Sequence, residues 1–404
     1  MSARSQTLSF EKLVRVKPAL VYRAFTNSTS LREWFCDVAT VDPKPGGRFY
    51  VAWSDGFYAS GEYLETRPGK RVSFSWQGRG DPKPSRVTVR LAKRDGGTLV
   101  RIEHSRLGTN PAWAPVVEEI KKGWGYALDN LPSILETGED LRFTLRPMVG
   151  IIQDAFNAEI ARELGVPVSE GVRLGTVVEG MGAAAAGLQA NDVLVSMDGV
   201  EYAQWGSLAN MLQSHRAGDR VEVGFYRGGE RKSVVMELSK RPLPEIPARP
   251  AALAAELRVR DEKSYAELAG VCAGVSDEEA AHKPGKVDWS AKEVLAHLVH
   301  ERRGNLSFIE DLLGGFEPLF DDYGPNLECR LSATVAAIPS LTGLLEEYRR
   351  VSLEAVCLIE AMPENFLENK GSYWRIAHNY LNPDYHLYSH LDQMREAIAD
   401  ARKR

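Results

Sequence analysis

KRPLPEIPARP, residues 240–250, separates two kinds of sequence in this chain. Prolines at 242, 244, 247 and 250 can neither donate to a ladder nor continue a helix, so the stretch reads as an extended spacer. Upstream, short runs such as VSFSW (72–76) and RVTVRL (86–91) alternate in apolar character with the period of strands. Downstream the pattern is helical to the end. A chain of 404 residues holds two to four domains at roughly 100 to 200 residues each, and three is the expected number. The fold class is therefore multidomain: an α+β module (1–141), a β-rich module (142–241), the Pro-rich linker (242–250) and an all-α four-helix bundle (251–404).

In the first module, turns at Gly46-Gly47, Asp55-Gly56 and Asp95-Gly96-Gly97 separate the strands of an antiparallel meander. Val116, Ile120, Trp124, Leu128, Leu131 and Leu135 then recur at helical spacing, giving a closing helix with one face on the core. Arg101 and Glu103 share one face of a strand and His104 takes the other, which reads as surface charge plus one hydrogen-bonded histidine rather than a catalytic set. Trp34, Trp53, Trp76 and Trp124 are candidates to line a pocket. The segments AFT (24–26), EWF (33–35), PGGRF (45–49), GEYLE (61–65), FSW (74–76), TLVRIEH (98–104) and KGWGYALDNL (122–131) resemble the SRPBCC (START-like) superfamily, in the branch of the heat-shock-chaperone ATPase activators. That resemblance implies a helix-grip fold whose curved sheet and C-terminal helix enclose a cavity for a hydrophobic small molecule.

In the middle module, GMGAAAAGLQANDVLVSMDG (180–199) is followed by a short helix near 207–214 and a hairpin turned at Gly228-Gly229. The triplets Ala186-Gly187-Leu188 and Asp192-Val193-Leu194, leading to Asp198-Gly199, resemble the PDZ family as found in bacterial protease-associated members. The resemblance implies that Met148, Val149, Gly150 and Ile151 form a loop whose N–H groups meet a peptide carboxylate, and that the next strand pairs with that peptide. Leu208, Met211 and Leu212, with Ile151, would form the socket for an apolar terminal side chain. No Ser-His-Asp set accompanies this module, so a protease reading has no support.

Beyond the linker, helices are expected over about 250–274, 290–313, 333–362 and 383–402. Five of the eight histidines lie in the last 110 residues, at 297, 300, 378, 386 and 390. Ser290-Ala-Lys-Glu293 is a capping box, and Asn382-Pro383 an N-cap with proline at N1. His386 and His390 are then i and i+4 on one helix face, able to reach a single ion. On the facing helix, 100° per residue leaves His297 about 110° from the centre of the apolar stripe and His300 about 170° away, so His297 can turn inward while His300 faces water. The strings DWSAKEVLAHLVHE (288–301) and DYHLYSHLDQMREAI (384–398) resemble the DinB superfamily of four-helix bundles. That resemblance implies a divalent-metal site of His297, His386 and His390, with zinc the first choice and nickel or iron(II) permitted by the same ligands. It also implies a low-molecular-weight thiol as co-substrate of a metal-dependent S-transferase or isomerase. His378 and Tyr385 have no assigned role, and Arg302, Arg303 and Arg375 read as surface charge or thiol anchors.

A net charge of -5 without a basic block argues against nucleic acid. The charged start and the lack of ~18 consecutive apolar residues argue against export or a membrane partner, so a cytoplasmic location is expected. Cys36, Cys272, Cys329 and Cys357 stand far apart and suggest neither disulfides nor a cysteine zinc site. Two functions compete: the metal- and thiol-dependent enzyme, and a non-enzymatic ligand sensor, adaptor or stress-related chaperone-associated binding protein.

Overall fold

The computed structural model describes residues 5–205, 207–212, 215–285, 288–317, 327–382 and 385–403. Pro383 of the expected N-cap, and residues 213–214 of the expected helix near 207–214, lie outside these.

In the first module, β1 (Ser5–Val14) is followed by α1 (Pro18–Ala24) and α2 (Ser28–Trp34), whose Asn27 side chain accepts from the Ser30 N–H. Strands β2 (Val38–Val41), β3 (Arg48–Ala52), β4 (Tyr58–Arg67), β5 (Arg71–Gly78), β6 (Ser85–Arg94) and β7 (Gly97–Gly108) then form an antiparallel meander. β1 joins it beside β7, giving the order β1-β7-β6-β5-β4-β3-β2. Long α3 (Ala114–Thr137) starts with proline in its first turn and ends at Gly138, whose φ of 88° gives the left-handed cap that glycine accepts without strain. Its Trp124, Leu128, Leu131 and Ile134 are buried at helical spacing against the sheet and merge with Phe49, Tyr63, Phe74 and Ile102 in one core. A one-turn helix, α4 (Leu141–Thr144), carries the chain away.

In the middle module, β8 (Ile151–Asp154), α5 (Ala158–Leu164), β9 (Val172–Val177), α6 (Gly182–Ala185), β10 (Val193–Met197), β11 (Val200–Glu201), α7 (Tyr202–Trp205), α8 (Leu208–Met211), β12 (Arg220–Arg227) and β13 (Glu230–Glu237) follow in order. The sheet runs β13-β12-β10-β9-β8, with β11 beside β10. Its core of Leu174, Leu194, Met197, Val223 and Met236 is separate from that of the first module.

Past the prolines the chain is helical: α9 (Pro250–Cys272), α10 (Asp277–Ala281), α11 (Ala291–Leu313), α12 (Leu327–Ala337), α13 (Leu341–Glu360), α14 (Lys370–Leu381) and α15 (Tyr385–Ala401). The single helix expected from 333 to 362 is corrected to α12 and α13. Pro339 disfavours helical backbone at Ile338, and Ser340 restarts the helix by accepting from the Gly343 N–H. The amphipathic α14 was not anticipated. The helical core has two halves, one around Leu295, Leu298, Leu344 and Met394, the other around Leu257, Ile309, Ile359 and Ile376.

Three apolar cores thus remain distinct, but the first module and the helical region meet along a polar seam. Glu33, which is 6% exposed, accepts from the Ser372 hydroxyl. Arg375 forks onto Glu317 at 2.6 and 2.7 Å, and Arg32 approaches the same carboxylate at 3.2 Å. Arg23 donates to Asn369, and Lys370 to the Glu136 carbonyl. The backbones approach so closely that a Cβ on Gly138 would lie 2.4 Å from the Lys370 oxygen. Arg375, read from sequence as surface charge, is part of this seam.

Candidate functional site

Three places in the molecule bring chemistry together. The first lies under α3. Trp34, Trp53, Trp76 and Trp124 all line a cavity of about 660 Å³, with Phe35, Val116 and Ile120 on the same wall. The aromatic residues are anchored: Trp34 Nε1 donates to the Ala24 carbonyl and Trp53 Nε1 to that of Phe35, both at 2.8 Å. Trp124 Nε1 donates to His104 Nδ1 at 3.2 Å, which leaves the His104 proton on Nε2, 2.7 Å from Ser85 Oγ. Full burial depresses the His104 pKa to about 4, so this relay is neutral and structural, as the strand alternation implies. Trp76 Nε1 differs: it is buried and has no partner among the described residues. Charges of both signs, including Arg79, Lys122, Asp81 and Glu119, ring the cavity.

The second place is the start of β8. Gly150 has φ of 86°, and a Cβ there would come within 2.3 Å of Met181 Cβ, so the bend requires glycine. The carbonyls of Val149 and Gly150 accept from Ala183 and Val178 at 2.9 Å, while no described residue accepts from the N–H groups of Val149 and Gly150. Met148 pairs through its backbone with Ser239. β8 has β9 on one side and, among the described residues, is the edge of the sheet on the other. Leu208, Met211 and Leu212 are buried in the module's core, and Ile151 packs against the same cluster.

The third place is on the helical region. The Ser290 side chain accepts from the Glu293 N–H, and the Glu293 carboxylate accepts from the Ser290 N–H, fixing the start of α11. Two turns on, His297 faces α15. His386 Nε2 stands 3.2 Å from His297 Nε2 and 3.0 Å from His390 Nε2, and one nitrogen from each ring lies within 4.8 Å of the others. His386 Nδ1 is 3.0 Å from Glu301 Oε2, and His390 Nδ1 is 2.8 Å from Gln393 Oε1. A carboxylate only accepts, so His386 carries its proton on Nδ1, and with the Gln393 amide placed as it is, its oxygen accepts from His390 Nδ1 likewise. Two Nε2 lone pairs are thereby turned toward each other.

Tetrahedral zinc with bonds of ~2.0–2.1 Å sets its nitrogens about 3.3 Å apart, close to the separations of His386 Nε2 from the other two rings. Burial, and then the neighbouring His390 and His386, lower the His297 pKa to about 4, keeping it in the neutral form a metal requires. Trp289 packs on His297 at 5.2 Å and stacks on His390 at 6.2 Å. His300, expected to face water, is half-buried instead. Its Nε2 meets Thr334 Oγ1 at 2.8 Å and the Arg330 carbonyl at 3.2 Å, both on α12.

Sequence reasoning missed Glu301 and Gln393. The signal was present, since Glu301 follows His297 by four residues and Gln393 follows His390 by three, the spacings of one helix face. It also missed the seam of Glu33, Glu317 and Arg375, for which periodicity gives no sign.

These features define a multidomain protein with a β-rich N-terminal domain, a PDZ-type β domain and a C-terminal helical region. Residues 15–136 match the family "Activator of Hsp90 ATPase homolog 1-like protein" and residues 154–238 match the PDZ domain. The periplasmic serine endoprotease DegP of Escherichia coli (strain K12) is 25% identical over 146 residues, covering 36% of this chain and 31% of that protein. The serine protease Do-like HtrA of Lactococcus lactis subsp. cremoris is 30% identical over 158 residues, covering 36% and 38%. The chain thus spans about a third of the length of these relatives. Among solved structures, protein MLL2253 from Mesorhizobium loti is 27% identical, covering 32% of this chain and 97% of that one at a TM-score of 0.30. PFC0360w, an HSP90 activator from Plasmodium falciparum, is 26% identical, covering 32% and 96% at a TM-score of 0.29. No helix among the described residues is long and apolar enough to cross a membrane.

Proposed function

We propose that this chain is a cytoplasmic, chaperone-associated binding protein that joins capture of a hydrophobic small molecule to docking on a protein C-terminus. The observation that carries the reading is the tryptophan-lined cavity of about 660 Å³. Such a volume and lining suit an apolar ligand held by few polar groups, and the Trp76 indole N–H supplies one donor for a ligand acceptor. Gly123 lines the cavity and has open space where a Cβ would be. Gly123→Phe would fill the cavity with little cost to the fold. The test is binding of 1-anilinonaphthalene-8-sulfonate by fluorescence to the full chain. Saturable binding lost in Gly123→Phe supports the reading; equal binding by both proteins refutes it.

In the same reading, the Val149 and Gly150 N–H groups meet a peptide carboxylate, the peptide adds to the open edge of β8, and Ile151, Leu208, Met211 and Leu212 form the apolar socket. Equal affinity for free-acid and amidated peptides would argue against this. The proposed location is checked by fractionation of the source cells, since two of the relatives above are named as periplasmic or Do-like proteases.

A second reading is favoured by the opposed Nε2 lone pairs of His386 and His390. The helical region would be a DinB-like bundle in which His297, His386 and His390 hold a divalent metal, zinc first, then nickel or iron(II). When bound, such an ion would lower the pKa of an external thiol, the chemistry of an S-transferase or isomerase. The chain's part is to keep His297 neutral and the imidazoles oriented, with Glu301 fixing the tautomer of His386. Metal analysis of protein purified from supplemented medium, with His386→Ala as comparison, tests this. Absence of a stoichiometric transition metal from the wild type refutes it.

A further inference from the structure

A second cavity, of about 590 Å³, lies where the first module meets the helical region. Its walls come from both sides of the seam, and it is separate from the tryptophan-lined cavity, with which it shares Arg142. Aromatic rings form one part of its lining. Trp374 and His378 stack at 4.6 Å and 18°, Phe143 of α4 sets its edge on His378 at 4.6 Å, and Phe308 lies under Arg375.

Guanidiniums form the other part. Arg142 pairs one-to-one with Asp140 at 2.8 Å. Arg32 and Arg375 share the single carboxylate of Glu317, which is 10% exposed. Burial pushes the Glu33 pKa up, and its carboxyl is turned to the Ser372 hydroxyl. Asp37 stands 4.0 Å from Arg142 but is 47% exposed, where water screens it. Behind Phe143, Arg241 lies 4.6 Å from the ring, and its Nε is buried without a partner among the described residues. His378, only 8% exposed, has its Nε2 in the same condition. Arg32 and Arg375 thus converge on one carboxylate beside the His378 Nε2, together with an amide pair in which Asn379 Nδ2 donates to Asn305 Oδ1 at 3.1 Å.

We propose that this inter-module cavity binds a small aromatic or heteroaromatic carboxylate, with its ring against the Trp374–Phe143–Phe308 wall and its carboxylate toward Arg32, Arg142 and Arg375. A planar carboxylate matches the fork geometry of guanidinium, and an aromatic ring matches the wall beside it. The site is independent of the ligand, peptide and metal readings above.

The test is ¹⁹F NMR titration of the full chain with 4-fluorobenzoate, with 4-fluorobenzamide as the neutral analogue. Asn379, an exposed residue on the cavity wall, is changed in Asn379→Phe, and Asn305→Phe serves as a second filling variant. The expected result is saturable binding of the acid, about tenfold or more weaker binding of the amide, loss of binding in both filling variants, and retention in Gly123→Phe. Absence of saturable binding would overturn the proposal. So would equal affinity for acid and amide, or binding that survives both filling variants and disappears in Gly123→Phe.

Discussion

Replacing Glu301 by Gln should weaken metal binding at the three-histidine cluster by about 10- to 100-fold, the usual cost of losing a partner behind a ligating imidazole. In free energy that is about 1.4 to 2.7 kcal/mol. Glu301 Oε2 lies 3.0 Å from His386 Nδ1, and His386 Nε2 is the atom that meets both other imidazoles, at 3.0 and 3.2 Å. Burial pushes the Glu301 pKa up, but the His386 hydrogen bond and the nearby Arg302 guanidinium outweigh it, so Glu301 stays ionised. A carboxylate can only accept, which holds the His386 proton on Nδ1. Glutamine can also donate, so the ring gains a second tautomer whose Nε2 carries a proton and cannot ligate. The assay is zinc competition against a fluorescent chelator, with far-UV circular dichroism to verify that both proteins are folded. Wild-type affinity in Glu301→Gln would refute the reasoning, because the tautomer would then be set elsewhere.

Arg375→Met should destabilise the seam by about 3 kcal/mol, the lower end for breaking a buried pair, since Arg32 still faces Glu317. Urea unfolding should move to a lower midpoint, and limited proteolysis should release the first module sooner; unchanged profiles would refute this. His104 is a histidine whose folded pKa is depressed to about 4, so the unfolded chain binds the extra proton between about pH 6.5 and 4. Its contribution is fully present above pH 6.5 and lost as pH falls toward 4, amounting to about 3 kcal/mol. The stability difference between wild type and His104→Gln should therefore shrink across that window, and a pH-independent difference would contradict the assignment. Gly150→Val should cost about 1 to 3 kcal/mol in backbone strain alone, and more from contact with Met181, and should weaken binding of free-acid peptides. Unaltered melting and binding would count against the bend at Gly150.

Local rules made much of this molecule readable before its coordinates. The capping box at Ser290 begins α11, the recurrence of Trp124, Leu128 and Leu131 buries one face of α3, and strand alternation sends His104 inward while Arg101 stays exposed. Helical spacing brought His386 and His390 together, and the wheel brought His297 to meet them. The same wheel failed for His300. It measures distance from the apolar stripe of α11 alone, and α12 covers the opposite flank, where Thr334 and Arg330 take the imidazole. A single-helix pattern cannot report a second neighbour.

The seam was hidden for a related reason. Periodicity detects surfaces that bury apolar groups, and the first module buries its apolar groups in its own core. The centre of the polar seam is Glu33 at the end of α2, Glu317 after α11, and Arg375 and Ser372 on α14, four polar residues that each read as solvent-facing in isolation. Only their partners make them interior. The linker reading of residues 240–250 has the same gap: the prolines do break the regular structure, yet Tyr373 Oη donates to the Pro247 carbonyl at 2.8 Å. A spacer without secondary structure can still be fixed in place, so proline content reports backbone conformation and not independence of the modules on either side.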